Sequence, residues 1–431
     1  MMRFCFGPWL YLAIGLTIAA TVQAEGGKPL TLEAALATVE AAHPDLQIAM
    51  ADRDAAIAER DIAASRTDVS LNFEGILRNG AQKPNMDNYI PDNSVRLIAR
   101  KTLYDFGRSS AAEEAATYEL NARESELITA RERRRLDVMA RFFDVLLADM
   151  QYTADNEMMS ILYVGFDHGR DNFAAGKISA VELAALESRF QDAMLKRNAS
   201  QQRQRISRAL LANTLNRPGD LPGDLEDPKL ESNNRKLPDY ETLIPDLLAN
   251  NPHIKSQQEL LAASQKRLES LRADKRPTLD AELQAGDYSR SALTRDNASA
   301  GLILSWPLWQ GNRSDSRVAK EYALSSKAQA TLDKLKMDTT ESFLETYLQI
   351  QQLQSAGRSS AMKKIEHNDL MLERSRGLYE MELRSDMGTA MADTVESTLR
   401  SRRNEYQLAL AFARIEAMMG KPLEAKMISK K

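Results

Sequence analysis

Residues Leu279-Asp280-Ala281-Glu282-Leu283-Gln284-Ala285 alternate apolar and polar side chains without a break. Such a period of two puts Leu279, Ala281, Leu283 and Ala285 on one face of a strand and Asp280, Glu282 and Gln284 on the other. After a loop at 287–297 the alternation resumes. Ala298, Ala300, Leu302, Leu304 and Trp306 then alternate with Ser299, Gly301, Ile303 and Ser305. Pro307 ends the ladder because it has no N–H to donate. The spacing therefore predicts a hairpin over about 278–307. A second hairpin, about 69–103, lies earlier in the chain. Its first strand alternates Val69, Leu71 and Phe73 with Ser70, Asn72 and Glu74. Its return strand alternates Val95, Leu97 and Ala99 with Ser94, Arg96 and Arg100, after a loop at 79–93. Its polar face carries ions and its other face is expected to carry none.

The flanking sequence is duplicated too. Pro44/Pro252, Ala55/Ala263, Leu71/Leu279 and Glu74/Glu282 share one offset, 208 residues. Leu103-Tyr104-Asp105-Phe106-Gly107-Arg108 recurs as Leu308-Trp309-Gln310-Gly311-Asn312-Arg313, and Leu215-Asn216-Arg217-Pro218 as Met419-Gly420-Lys421-Pro422. A period this long is a duplicated half-protein, not a solenoid unit. Each half reads as helix, hairpin, very long helix and return helix. In the first half, a short amphipathic helix at 31–42 has Thr31 as N-cap, and a second helix runs over 44–68 from Pro44, whose missing N–H costs nothing at a helix start. A helix over 108–170 follows, then a break at 169–176 and a return helix at 179–216. The second half repeats this as 252–275, 311–381 and 386–419. The 63 residues of 108–170 would span about 95 Å. Helices 44–68 and 179–216 stacked end to end match that length, which predicts antiparallel packing. The organisation is then a signal peptide at 1–24, a first repeat at 25–216, a linker at 217–237 rich in Pro, Gly and acidic residues, a second repeat at 238–422 and a loose tail at 423–431.

Composition narrows the function. The chain has 431 residues but only 19 Gly, 14 Pro and 6% aromatics against 27% charged, which favours long exposed helices over a large compact core. Arg3, the apolar run from Trp9 to Ala20 and Val22-Gln23-Ala24 read as a secretory signal cleaved after Ala24. The one cysteine, Cys5, lies inside it, so the mature chain would lack disulfides, thiolate metal sites and a lipidated cysteine. Cleavage turns the net charge from −4 to −5, which argues against nucleic acid. His43, His168, His253 and His367 show no metal-ligand spacing, and no phosphate loop or nucleophile motif is present. No cofactor, metal or catalytic residue is therefore expected. The run Arg131-Glu132-Arg133-Arg134-Arg135 reads as a solvated helix face.

Together the signal peptide, the duplicated helix–hairpin–helix halves, the His-Pro and Asn-Pro helix starts and the Leu-Tyr-Asp-Phe-Gly-Arg element resemble the TolC family of outer-membrane efflux proteins, over about residues 30–422. The resemblance implies an α+β membrane protein: a homotrimer in which each protomer gives four strands to one 12-stranded transmembrane β-barrel, continuous with a long antiparallel α-helical coiled-coil barrel crossing the periplasm. Closure of the barrel would satisfy the strand edges, which hydrocarbon does not tolerate open. Glu74, Arg96, Arg100, Asp280 and Glu282 would line its wet lumen, and Val, Leu, Phe and Ala would face outer-membrane lipid. The turn Gly176-Lys177-Ile178-Ser179 corresponds to a helical tip implicated in docking a periplasmic adaptor (membrane fusion) protein. The second tip, 379–386, is about two residues shorter and lacks the glycine. Asp386, with Asp393 seven residues on, corresponds to an acidic constriction of the periplasmic entrance. The implied activity is a passive exit duct for efflux or type I secretion, driven by an inner-membrane transporter. A periplasmic coiled-coil adaptor or scaffold is the alternative; it accounts for the helices and not for four alternating strands.

Overall fold

The computed structural model describes residues 29–40, 43–82, 85–290, 296–381 and 386–421. The expected signal peptide and tail, and residues 382–385 of the second tip, lie outside these. In the first half, α1 (Leu32–Ala37) is N-capped by the Thr31 hydroxyl, which accepts from the Ala34 amide at 3.1 Å. α2 (Pro44–Ala64) starts on its proline, with the His43 imidazole accepting from the Asp45 amide. The strands are β1 (Ser70–Ile76), β2 (Asn79–Gln82), β3 (Asn85–Pro91) and β4 (Ser94–Tyr104). The segment 79–93 is thus not a plain loop: β2 and β3 form an antiparallel ribbon beyond the main hairpin, tied at its base by Arg78 donating to Asp92 at 2.8 Å. α3 (Arg108–Ala174) runs 67 residues, and α4 (Ala180–Thr214) returns along it.

The second half repeats the order with α5 (Tyr240–Asn250), α6 (Pro252–Ala273), β5 (Thr278–Tyr288), β6 (Ala298–Ser305), α7 (Arg313–Gln352), α8 (Arg358–Glu380) and α9 (Met387–Met419). The left-handed positions recur as well. Phe106 (φ 54°) and Gly311 (φ 62°) lie at equivalent places between strand and helix, and Asn216 (φ 58°) and Gly420 (φ 62°) follow the ends of the two return helices. At Phe106 a bulky side chain occupies a conformation that favours glycine. Its ring packs edge-on against Tyr104, with centroids 4.7 Å apart.

Three expectations are corrected. The long helix does not break at Gly169, which is buried inside α3, where an added Cβ would run into Leu186 of α4. That glycine serves close helix packing. The segment 311–381 is not one regular helix, because residues Leu353–Gly357 form a π-helical turn between α7 and α8. A Cβ on Gly357 would collide with the Asn404 side chain of α9, and Asn404 donates to the Leu353 carbonyl at 3.3 Å. Nor is Arg134 solvated: it is 6% exposed and donates to the carbonyls of Val39 (2.9 Å) and Thr38 (3.3 Å), the 3-10 turn after α1. Burial lowers its pKa from the ordinary guanidinium value.

The core sits midway along α3, where the helices gain a collar. One cluster packs Val138, Phe142, Phe143 and Leu146 of α3 against Ala35, Leu211 and Tyr406. A second packs Leu243 and Leu247 of α5 against Phe343, Ile350, Phe412 and Ile415. The segment 217–237 belongs to this collar. Its Asn233 is fully buried, and Asp227 accepts from the Tyr406 hydroxyl at 2.7 Å. Among the described residues no helix is long and apolar enough to cross a membrane.

Candidate functional site

The four main strands form one antiparallel sheet in the order β1-β4-β5-β6. Its register decides which side chains share a face. Glu74 stands opposite Arg96, Arg100 opposite Glu282, and Thr102 opposite Asp280. All five ionic residues expected to share a face therefore do so, and most are paired there. Glu74 binds Arg96, Glu282 accepts from Arg100 Nε at 3.0 Å, and Asp280 accepts from the Thr102 hydroxyl at 2.7 Å. The face is not uniformly polar, since Ile98 and Ile303 stand on it in register with Gln284 and Asp280.

The opposite face carries Leu71, Phe73, Val95, Leu97, Ala99, Leu283, Ala300 and Leu302 in matched rows. Most of these are exposed; Leu283 is 60% exposed and Phe73 71%. A contiguous apolar patch of this kind marks a surface meant for another apolar medium or a partner. The expectation that this face of the first hairpin lacks ions fails at Lys101, in register with Ala281 near one end, and Asp287, expected in a loop, instead extends β5 in register with Val95 near the other. A bulge between Thr102 and Tyr104 puts Tyr104 opposite Leu279. Tyr104, Trp306, Leu308 and Trp309 are exposed where the strands give way to the helices. Neither outer edge of the sheet, on β1 or on β6, has a strand partner among the described residues.

At the far end of α3, Gly176 adopts φ 70° and closes the helix. The Gly176 amide donates to Phe173 O at 2.9 Å and the Lys177 amide to Asn172 O at 2.8 Å, the bonding of a Schellman cap. Ser179 and Glu182 then form a reciprocal capping box that starts α4. The Ser179 amide, and then its hydroxyl, hold the Glu182 carboxyl below the ordinary carboxylate range. Lys177 is exposed and Ile178 half-buried. The turn is thus capped on both sides by hydrogen bonds, and it exposes one cation, Lys177.

Asp386 precedes α9, is exposed, and accepts from the Thr389 hydroxyl at 2.7 Å. Asp393 is half-buried, and its main-chain carbonyl accepts from the buried Asn368 of α8 at 2.7 Å. The first turn of α9 presses on α3: a Cβ on Gly388 would lie 3.0 Å from Ile161. Ile161 is 13 residues before the end of α3, so α9 begins about 20 Å back along that helix. The two carboxylates thus lie near the start of α9, and the structure leaves the first of them free to solvent. Sequence reasoning missed Lys101, although its place in the alternation of β4 was readable.

Residues 243–370, from α5 into α8, match the family model for outer membrane efflux proteins. No curated protein sequence matches the chain. The outer membrane protein VceC of Vibrio cholerae is similar in structure at a TM-score of 0.74 and 15% identity, with 91% of this chain and 97% of that one covered. The CmeC outer membrane channel of Campylobacter jejuni is similar at 0.70 and 15%, covering 93% and 90%. The open state of the MtrE outer membrane channel of Neisseria gonorrhoeae is similar at 0.69 and 15%, covering 91% and 89%. Part of the second half therefore matches the outer membrane efflux protein model, and the chain as a whole shares the fold of these solved structures.

Proposed function

We propose that this protein is the passive exit duct of a multicomponent exporter, a homotrimer that spans the outer membrane and extends into the periplasm. The observation that carries this reading is the sheet, with one exposed apolar face, one ion-paired face and two bare edges. Water alone leaves the apolar face unsatisfied, and hydrocarbon alone leaves the edges so. Closure satisfies both. Each half, 25–216 and 238–422, contributes one hairpin and one helix pair, and three chains of four strands would make a 12-stranded barrel. Glu74, Arg96, Arg100, Asp280 and Glu282 then line the lumen. Three of these are acidic and two basic, and the pairing leaves the barrel weakly charged. The rival coiled-coil adaptor or scaffold gives the sheet no such use.

The partners follow from the same placement. An inner-membrane transporter supplies energy, and a periplasmic adaptor bridges to the helical tips. The Gly176–Ser179 segment offers the adaptor a hydrogen-bonded turn on which Lys177 is exposed. Mass measurement of the full chain extracted from outer membranes in detergent is expected to give a trimer resistant to salt washing; a stable monomer, or release by salt, would sink the proposal.

Asp386 is proposed to narrow the entrance electrostatically. Its threefold repetition would place three exposed carboxylates around one axis, repelling anions and concentrating cations. Asp386→Asn is expected to lower cation selectivity and weaken block by multivalent cations in planar-bilayer recordings. Asp393→Asn should do less, being half-buried and two turns further along α9. Unchanged selectivity and block in Asp386→Asn would make it an ordinary helix-end charge.

A further inference from the structure

We infer that Lys101 holds the phosphate of a phospholipid in the periplasm-facing leaflet, one site per protomer; the inference rests on the barrel reading above. Lys101 stands on β4, an interior strand, so a neighbouring protomer joined through β1 or β6 does not cover it. Its register partner is Ala281, which in turn faces Leu302, so it belongs to the apolar face. The residues either side of it along the strand point the other way and are engaged, Arg100 with Glu282 and Thr102 with Asp280. Lys101 itself is exposed and has no carboxylate within ion-pair distance among the described residues. An unpaired cation on a lipid-facing surface is costly at the bilayer centre and tolerated near its edges. Lys101 lies toward one edge. Three residues, about 10 Å along the strand, separate it from Tyr104, and Tyr104, Trp306 and Trp309 are the exposed aromatics expected at headgroup level. A lysine there runs its stem over the apolar surface and delivers its ammonium to the interface.

β1 begins at Ser70, opposite Arg100, so Lys101 lies one residue beyond the β1–β4 pairing, on the side where the chain enters β1. An exposed ammonium on a face that also carries Ala281, Leu302 and Leu304 complements a group with an anionic head and acyl chains. The phosphate diester of a phospholipid is that group. The side is fixed by the fold, because β4 runs from its far end at Ser94 toward α3 and hence toward the periplasm.

The test is native mass spectrometry of the full-length trimer with phosphatidylglycerol or with diacylglycerol of the same acyl chains. The wild-type trimer is expected to retain up to three phosphatidylglycerol molecules and at least ten-fold less diacylglycerol. Lys101→Met should lose that preference and Lys101→Arg should keep it. Equal retention of both lipids by the wild type, or an unaltered preference in Lys101→Met, would overturn the site. The wild-type comparison decides alone if Lys101→Met does not assemble. A chain that forms no membrane-bound trimer would fell both this inference and the duct; a trimer indifferent to phosphate fells only this one.

Discussion

Leu283→Arg is expected to remove nearly all trimer from the outer membrane, whereas Gln284→Arg, one residue on, should leave most of it. Leu283 lies at the middle of β5, between Ala99 and Ala300, on the face with Leu71 and Leu302. An arginine facing lipid at the midplane costs about 2–4 kcal/mol per site, and a trimer incurs it three times. Gln284 faces the other way, between Ile98 and Ser299, where an arginine stays in water. Its loss gives up one hydrogen bond, to the Tyr288 hydroxyl at 2.8 Å. Glu282→Arg is a poorer control, since it would set a second cation against Arg100. Quantifying folded trimer in outer-membrane fractions checks the pair. Equal losses would mean that the two faces are assigned to the wrong media.

The parts of the fold that the sequence made legible are those governed by a short period or by a residue with one conformational use. Alternation placed all four main strands, and the register confirms which residues share a face. Pro44, Pro252 and Ser179 marked helix starts because few residues suit those positions. Gly176 and Gly420 marked helix ends for the same reason. Four features were not legible because they depend on residues distant in sequence. Gly169 looked like a helix breaker; only the approach of α4 shows that it is there to admit Leu186. The arginine run looked like a solvated face until the turn after α1 folded over Arg134. Residues 79–91 carry no clear alternation, yet they pair as β2 and β3 because the main hairpin below already holds their ends together. The candidate tips were found through resemblance more than through physics, since an acid at a helix start and a glycine at a helix end are common anywhere.

The segment 217–237 shows the same limit most strongly, and it supplies the other large expected effect. Its composition reads as a spacer, but its last turn clamps the π-helical segment. Asn233 donates to the carbonyl (2.9 Å) and carboxylate (2.8 Å) of Glu405 on α9. Arg358, the first residue after the π turn, engages both oxygens of that carboxylate at 2.7 and 2.8 Å and also donates to Asn234 at 3.0 Å. Gln354, within the turn, donates to the carbonyls of Asn233 and Arg235. Glu405 of α9 thus joins the linker, through Asn233, to Arg358, the residue that follows the π turn. Glu405→Ala takes the carboxylate from Arg358 and leaves the buried Asn233 amide only the main-chain carbonyl of residue 405, and bonds to charged groups are worth about 1.5–3 kcal/mol. Amide exchange at 350–360 should accelerate roughly 10- to 100-fold, at about 1.4 kcal/mol per decade. Glu405→Gln, which keeps an acceptor for one partner, should fall between. Arg358, with help from Asn233, holds the Glu405 carboxyl below its ordinary range against the opposing effect of burial. A depressed folded-state pKa means the contribution is complete above the unfolded value of about 4.3 and is lost as pH falls through the folded one. The clamp should therefore be insensitive to pH between about 5 and 8 and release only in stronger acid. Exchange at 350–360 that is the same in Glu405→Ala as in the wild type would show that α9 packing alone maintains the π turn.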